Sequence, residues 1–512
     1  EICACLVGSE MCIRDSVNPI TRLDYPDPDV IRVEDTYYMV STTMHFMPGC
    51  EILQSFDLVH WEHVTYVYET LDHTDAQQLK SGQNIYGQGM WAASLRYHEG
   101  RFCICFVAND TRKTYLYTSE KIDGPWKKQL IEGFYHDGSL LFDEDGRNYI
   151  VYGNDEIWIT ELNEDLTAPK KDGLHRLLVS DHKNPELGYE GSHIQKINGY
   201  YYIFLIHSLR DRWMRTEACF YSDSLEGEFT GGDVLCDDRG YCGQGVAQGG
   251  IVDTPDGKWY AMLFQDSGAV GRIPILLPVT WKDHFPVFGQ NGHVPEEIEV
   301  HSTRPGYIYQ PLVGSDDFCN GLLPRWQFNH DPDPRYYHLD ALQGTYTITT
   351  REVCTELTQA VNTLTQRMSY PSCAAEVTVD ASALKEGDVA GLCALQGCYA
   401  AVGITKHHGK YEVLMLDKKE DGILDMTEGT VVESHQMDFR LEADFCNMKD
   451  EARCYYRVNK GDWLPIGTVH KLYFKLDHFT GCRFGLFCYA AEETGGSACF
   501  RDFKYYDVDE IS

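Results

Sequence analysis

Three acids and a tryptophan fall at the same phase of a repeated pattern. Five segments each place a polar turn before an aromatic-rich strand: "RVEDTYYMVST" from Arg32, "RYHEGRFCICFV" from Arg96, "LFDEDGRNYIVYG" from Leu141, "QKINGYYYIFLIHS" from Gln195 and "VDTPDGKWYAMLFQDS" from Val252. Counting back eight residues from the turn residues Asp35, Glu99, Asp145, Asn198 and Asp256 reaches Asp27, Trp91, Asp137, Glu190 and Gln248. Three carboxylates gathered in one cleft raise one another's pKa, which suits acid–base chemistry. A tryptophan beside them offers a flat face for a sugar ring. Taken singly, each acid has an ordinary explanation. Asp27 precedes Pro28 as turn acids often do, Asp137 in "HDGS" could cap a turn, and Glu190 in "YEGSH" could be a solvated loop acid. The shared offset is what joins them, although such a ring could also serve only to bind a metal.

The elements that must position these residues are hairpins. The ED, EG, DG, NG and DG turns lie between strand-forming residues and recur at intervals of about 46 to 64 residues, enough for a four-stranded sheet each. Five such units predict a five-bladed β-propeller over residues 17–300, with the equivalent positions on a ring at one mouth of the central channel. After a Pro- and Gly-bearing linker, 301–317, the composition changes. "GTYTITTR", "AAEVTVDA", "KYEVLMLD" and "LYFKLDH" alternate with period two, and residues 318–512 are expected to form a β-sandwich. The fold class is therefore all-β, a propeller followed by a sandwich. The first sixteen residues, "EICACLVGSEMCIRDS", lack the layout of a signal peptide and are read as a non-native leader.

Bulk properties narrow the partners. The chain has 512 residues, is 43% hydrophobic and 12% aromatic, and carries 33 tyrosines and a net charge of −34. Such a charge disfavours nucleic acid and anionic membranes, and no apolar run approaches the ~20 residues that span a bilayer. A neutral or cationic partner is easier to accommodate, and the oligomeric state stays open. The 19 cysteines form no CxxC pair or regular framework. They read as reduced thiols, so the expected location is cytoplasmic, with export still open.

The segments "YPDPDVIRVEDTYYMVSTT", "GMWAASLRYHEGRF", "HDGSLLFDEDGRNYIV", "YEGSHIQKINGYYYIF", "GQGVAQGGIVDTPDGKWYAMLFQDS" and "GRIPILLPVTWKD" together resemble glycoside hydrolase family 43, whose members are five-bladed propellers that invert anomeric configuration. "PRWQFNHDPDPRYY", "LTQRMSYP" and "LKEGDVAGLCALQGCYAAVGI" resemble the concanavalin-A-like C-terminal domain of its xylosidase-type members. The resemblance implies Asp27 as general base, Asp137 as the residue that tunes and orients the acid, and Glu190 as general acid with a raised pKa, the base and acid lying roughly 6.5–9.5 Å apart. It further implies substrate contacts from Trp91, Arg272, Phe46 and His193, and from Phe500 in "GGSACFRDFKYY" as an aromatic lent to the pocket by the sandwich. The family often places a histidine at the fifth ring position beside a central calcium. Here Gln248 stands there, able to offer an amide oxygen to a structural Ca2+ while no cofactor is required for the chemistry. The implied activity is an inverting exo-glycosidase acting on terminal α-L-arabinofuranosyl or β-D-xylosyl groups of hemicellulose or arabinan. A slight lean toward arabinofuranose comes only from the overall resemblance. The loop "VSTTMHFMPGCEI" differs from the usual xylosidase form, in which the positions of Met44 and Phe46 carry larger aromatics, and this implies more space at the subsite. The alternatives are a non-catalytic carbohydrate-binding propeller–sandwich and a related retaining fructosidase.

Overall fold

The computed structural model describes residues 16–507. Residues 1–15, nearly all of the expected leader, and residues 508–512 lie outside the described residues. The described chain is built of strands, with four short 3-10 turns as its helical elements.

Five four-stranded antiparallel sheets follow one another along the first part of the chain. Their innermost strands are Asp29–Val33, Met90–His98, Ser139–Phe142, Glu190–Ile197 and Ala247–Asp253. Each packs against the next, and the fifth returns to the first, which closes the ring. Each innermost strand is joined to the second by one of the expected hairpins. Glycine takes the left-handed conformation in four of these turns (Gly100, Gly146, Gly199 and Gly257), and Glu34 takes it in the first. Ser16–Val17 pairs with Glu297–Ile298 beyond the fifth blade. Residues 301–317 then run along the outside of blade one, where Arg304 pairs with Asp35 and the Tyr309 hydroxyl oxygen accepts the Phe56 N–H at 2.8 Å.

The second half forms two stacked antiparallel sheets, seven and nine strands wide. The nine-stranded sheet is not made by this half alone. Its last strand, Phe46–Met47, comes from blade one and pairs with Gln327–Asn329. Ala269, Val270 and Ile273 of blade five are likewise buried in the sandwich core beside Trp326, Phe328 and Phe484. The backbones meet directly here: the Cys482 N–H donates to the Ala269 carbonyl at 2.8 Å. A Cβ on Gly481 would lie 2.0 Å from the Val270 carbonyl oxygen, so only glycine allows this approach.

A shared sheet and a shared core couple the stability of the two halves. Calorimetry of the full chain is expected to show one cooperative unfolding transition; two well-separated transitions would contradict the coupling.

Candidate active site

Every innermost strand enters the channel through a left-handed residue. These are Asp27 (φ 53), Ala92 (φ 25), Asp137 (φ 48), Gly191 (φ 66) and Gln248 (φ 59). Such a conformation costs on the order of 1–3 kcal/mol for a non-glycine residue, and here it recurs at one mouth of one ring. The ring positions read from the sequence are thus brought together. Asp27, Trp91, Asp137, Glu190 and Gln248 all line a pocket of about 220 Å3, with His136, Asn154, Trp213, Arg215, Arg272, Leu476 and Phe479.

Asp27 is buried, with both oxygens committed: Arg272 Nη1 donates to Oδ1 at 2.6 Å and the Thr42 hydroxyl donates to Oδ2. Arg272 also donates from Nε to Asp266 Oδ1 at 3.2 Å, and Asp266 Oδ2 pairs with Arg215 Nε at 2.8 Å. The Arg272 guanidinium lies 3.6 Å from the ring centre of Phe479 and 4.5 Å from that of Phe264. On the other side of the pocket, Asp137 accepts the Gly191 N–H at 2.9 Å, and Asn154 donates to Glu190 Oε2 at 2.7 Å. His136 Nε2 stands between the two acids, 3.5 Å from Asp137 and 3.6 Å from Glu190.

These groups set one another's proton affinity. Burial disfavours charge on His136, but Asp137, Glu190 and Asp27 outweigh it and lift the imidazole to about 9. Burial, with the charges of Glu190 and Asp27 added, raises Asp137 to about 6 against the pull of His136. Glu190 departs from expectation. Burial pushes its carboxyl up, yet His136 beside it and the guanidiniums of Arg215 and Arg272 prevail and hold it below the ordinary range. The raised carboxyl of the site is therefore Asp137, and the raised imidazole of His136 stands beside it.

Four other expectations are corrected. Phe46 is buried in the strand that joins the sandwich sheet, its ring 3.4 Å from the Arg483 guanidinium, and it forms no wall of the pocket. Met44 lies in the same seam, bonded backbone to backbone with Met90, so the extra room inferred from this loop is not at the subsite. His193 sits below the pocket floor and pairs with Asp29 at 3.2 Å, because a register shift between Glu190 and His193 turns it to the channel. Phe500 is fully buried in the sandwich core beside Tyr346. The aromatic that the sandwich lends is Phe479, edge-on to Trp91 at 5.1 Å.

The residues around Gln248 do not fit calcium. The void that Gln248 shares with Asp29, Ser192 and His193 is about 10 Å3, room for about one water. Asp29 is already bonded to Arg96, the Leu95 N–H and His193. A calcium ion needs six to eight oxygen ligands, which this set does not supply.

Asn154, Trp213 and Arg215 were missed in the sequence, but a rule could have found them. In an antiparallel blade, the turn from the second to the third strand returns to the mouth where the first strand began. Asn154 ends the second strand of blade three, Trp213 and Arg215 flank the start of the third strand of blade four, and Arg272 begins the third strand of blade five. Phe479 lies in a loop with no periodicity to announce it.

Carboxylates, a tryptophan and guanidiniums in a cleft at the mouth of a propeller define a glycoside hydrolase. Residues 16–286 match glycosyl hydrolases family 43, and residues 315–506 match the beta-xylosidase C-terminal concanavalin A-like domain; the chain belongs to glycosyl hydrolase family 43. A solved structure described as a bifunctional GH43-CE from Bacteroides eggerthii is 42% identical with a TM-score of 0.90, covering 98% of this chain. This chain spans only 64% of that one. A beta-xylosidase of Formosa agariphila is 26% identical over 96% of this chain and 89% of its own. A xylosidase/arabinosidase of Humicola insolens is 25% identical over 96% of both.

Replacing His136 by glutamine removes the cation that holds Glu190 down. The alkaline limb of the kcat/KM–pH profile, which reports loss of the acid's proton, is expected to move up by about one pH unit. An unmoved limb would show that His136 does not govern the acid.

Proposed function

We propose that this protein is an inverting exo-glycosidase that removes one terminal pentose, α-L-arabinofuranosyl or β-D-xylosyl, from hemicellulose or arabinan oligosaccharides. One observation carries the reading: Asp27, Asp137 and Glu190 line a single pocket that the sandwich completes with Phe479 and Leu476. At about 220 Å3 it is smaller than the ~300–1,000 Å3 typical of drug-sized ligands, which suits one sugar ring rather than a threaded chain. The relatives named for xylosidase and arabinosidase activity support a pentose in that space.

In this reading Asp27 takes a proton from the attacking water while Arg272 and Thr42 hold its oxygens. Glu190, oriented by Asn154, protonates the leaving oxygen. Asp137, its carboxyl raised to about 6, and His136, its imidazole raised to about 9, lie beside that acid, and the imidazole sets its proton affinity. Trp91 and Phe479 pack against the ring, and Trp91 Nε1, buried without a partner, is placed to donate to a sugar hydroxyl. Water, acid and base suffice for the reaction, so no cofactor is invoked. The reading also favours a reducing compartment: among the described residues all sixteen cysteines are free, and four of them are exposed.

Glu190→Gln is expected to turn over pentosides with a strongly activated aryl leaving group nearly normally and to lose about 10²–10⁴-fold on oligosaccharides, whose leaving oxygen needs the proton. Equal turnover of both by the variant would sink the acid assignment. Digests of arabinan or arabinoxylan oligosaccharides should release monosaccharide from the first time point, whereas early mixed oligosaccharides without monosaccharide would contradict the exo mode.

A further inference from the structure

The acidic run that supplies the base contains an acid that the reaction leaves unused. Asp24 is buried three residues before Asp27, and both of its oxygens are occupied by backbone donors from different halves of the molecule. The Arg272 N–H donates to Oδ1 at 2.8 Å, and the Gly481 N–H donates to Oδ2 at 2.7 Å. The first donor belongs to the residue whose side chain holds the base. The second lies two residues after Phe479, whose ring covers that same side chain at 3.6 Å.

We infer that Asp24 is a positioning residue that ties the placement of Phe479 over the pocket to the orientation of Asp27, through the backbones of residues 272 and 481. The inference rests on reading Asp27 as the base.

Three features favour coupling over simple space filling. First, the geometry requires two acceptors on one short side chain. An asparagine has one acceptor oxygen, and its amide group would turn a donor toward a second donor. Second, the backbones are too close for any other bridge. A Cβ on Gly271 would lie 2.1 Å from Asp24 Oδ1 and 2.7 Å from the Gly481 nitrogen. Third, the carboxylate is held where burial disfavours it. Desolvation lifts Asp24 to about 6 despite the two N–H groups and the nearby Arg367 and Arg483. A seam selected for stability alone would avoid a charge there. What the charge does provide is a fixed distance between the strand that carries Arg272 and the loop that carries Phe479. Arg272 lies between Phe264 and Phe479 and donates to Asp27, so a shift of either backbone moves the guanidinium and with it the base.

The test compares purified Asp24→Asn with wild type, Phe479→Ala, the double variant, and Asp388→Asn. Asp388 is another buried acid that accepts a backbone N–H, from Lys385 at 2.8 Å, but it lies within the sandwich and away from the pocket. Asp24→Asn is expected to lower kcat about 10- to 100-fold, the scale of a small misplacement of reacting groups, and to raise KM as well. Asp388→Asn should lower the melting temperature with kcat and KM unchanged. In the double variant, Asp24→Asn should cost much less than it does alone, because the contact it coordinates is already gone. A folded Asp24→Asn enzyme with wild-type kcat and KM would overturn the inference, as would fully additive losses in the double variant. If Asp24→Asn does not fold, Asp24→Glu, which keeps the charge but moves it by one methylene, should show the same fall in kcat, and wild-type kinetics from it would overturn the inference equally. Asp27→Asn run alongside separates the two readings. An active Asp27→Asn enzyme refutes the base, while an inactive one beside an unimpaired Asp24→Asn refutes only the coupling.

Discussion

Beneath the pocket two guanidiniums and two carboxylates alternate: Arg215, Asp266, Arg272 and Asp27, joined at 2.8, 3.2 and 2.6 Å. All four side chains are buried. Buried charges survive only when paired and hydrogen-bonded, and removing one partner from such a pair typically costs about 3–5 kcal/mol. The chain of charges is balanced, two guanidiniums against two carboxylates. Its elements come from three places in the sequence: the entry to blade one, the third strand of blade four, and both sides of the turn between the second and third strands of blade five. The propeller must close for the row to exist, and the sandwich must dock for Phe479 to cover its Arg272 end.

The opposite side of the pocket works by a different principle. His136, Asp137 and Glu190 are close enough to share protons, and each sets the affinity of the others. The two sides differ in kind. One holds Asp27 in fixed geometry through ion pairs. The other gathers three groups whose proton affinities depend on one another.

The sequence reveals the propeller clearly because turn chemistry and strand composition are local. The turn residues at the hairpins mark the register, and counting back from Asp35, Glu99, Asp145, Asn198 and Asp256 finds Asp27, Trp91, Asp137, Glu190 and Gln248. The losses arise where position depends on something non-local. His193 is three residues from Glu190, but a bulge between them reverses its face. Phe500 obeys the period-two pattern of its strand and so points into the sandwich core, whereas Phe479 obeys no pattern and reaches the pocket through docking alone. Phe46 and Met44 look like subsite residues until the strand they lie on is seen to belong to the neighbouring sheet. His136 adjoins a residue singled out for catalysis, yet its effect on Glu190 arises across blades three and four and has no signature along the chain.

The account's central claim is that Asp27, gripped by Arg272 and Thr42, acts on water and does not itself attack the sugar. Proton NMR of the first product formed tests this directly. An aryl β-D-xyloside should release α-xylose first, and an aryl α-L-arabinofuranoside should release the β anomer, with the equilibrium mixture appearing only later through mutarotation. Initial release of the anomer present in the substrate would mean a covalent intermediate, and would contradict the account.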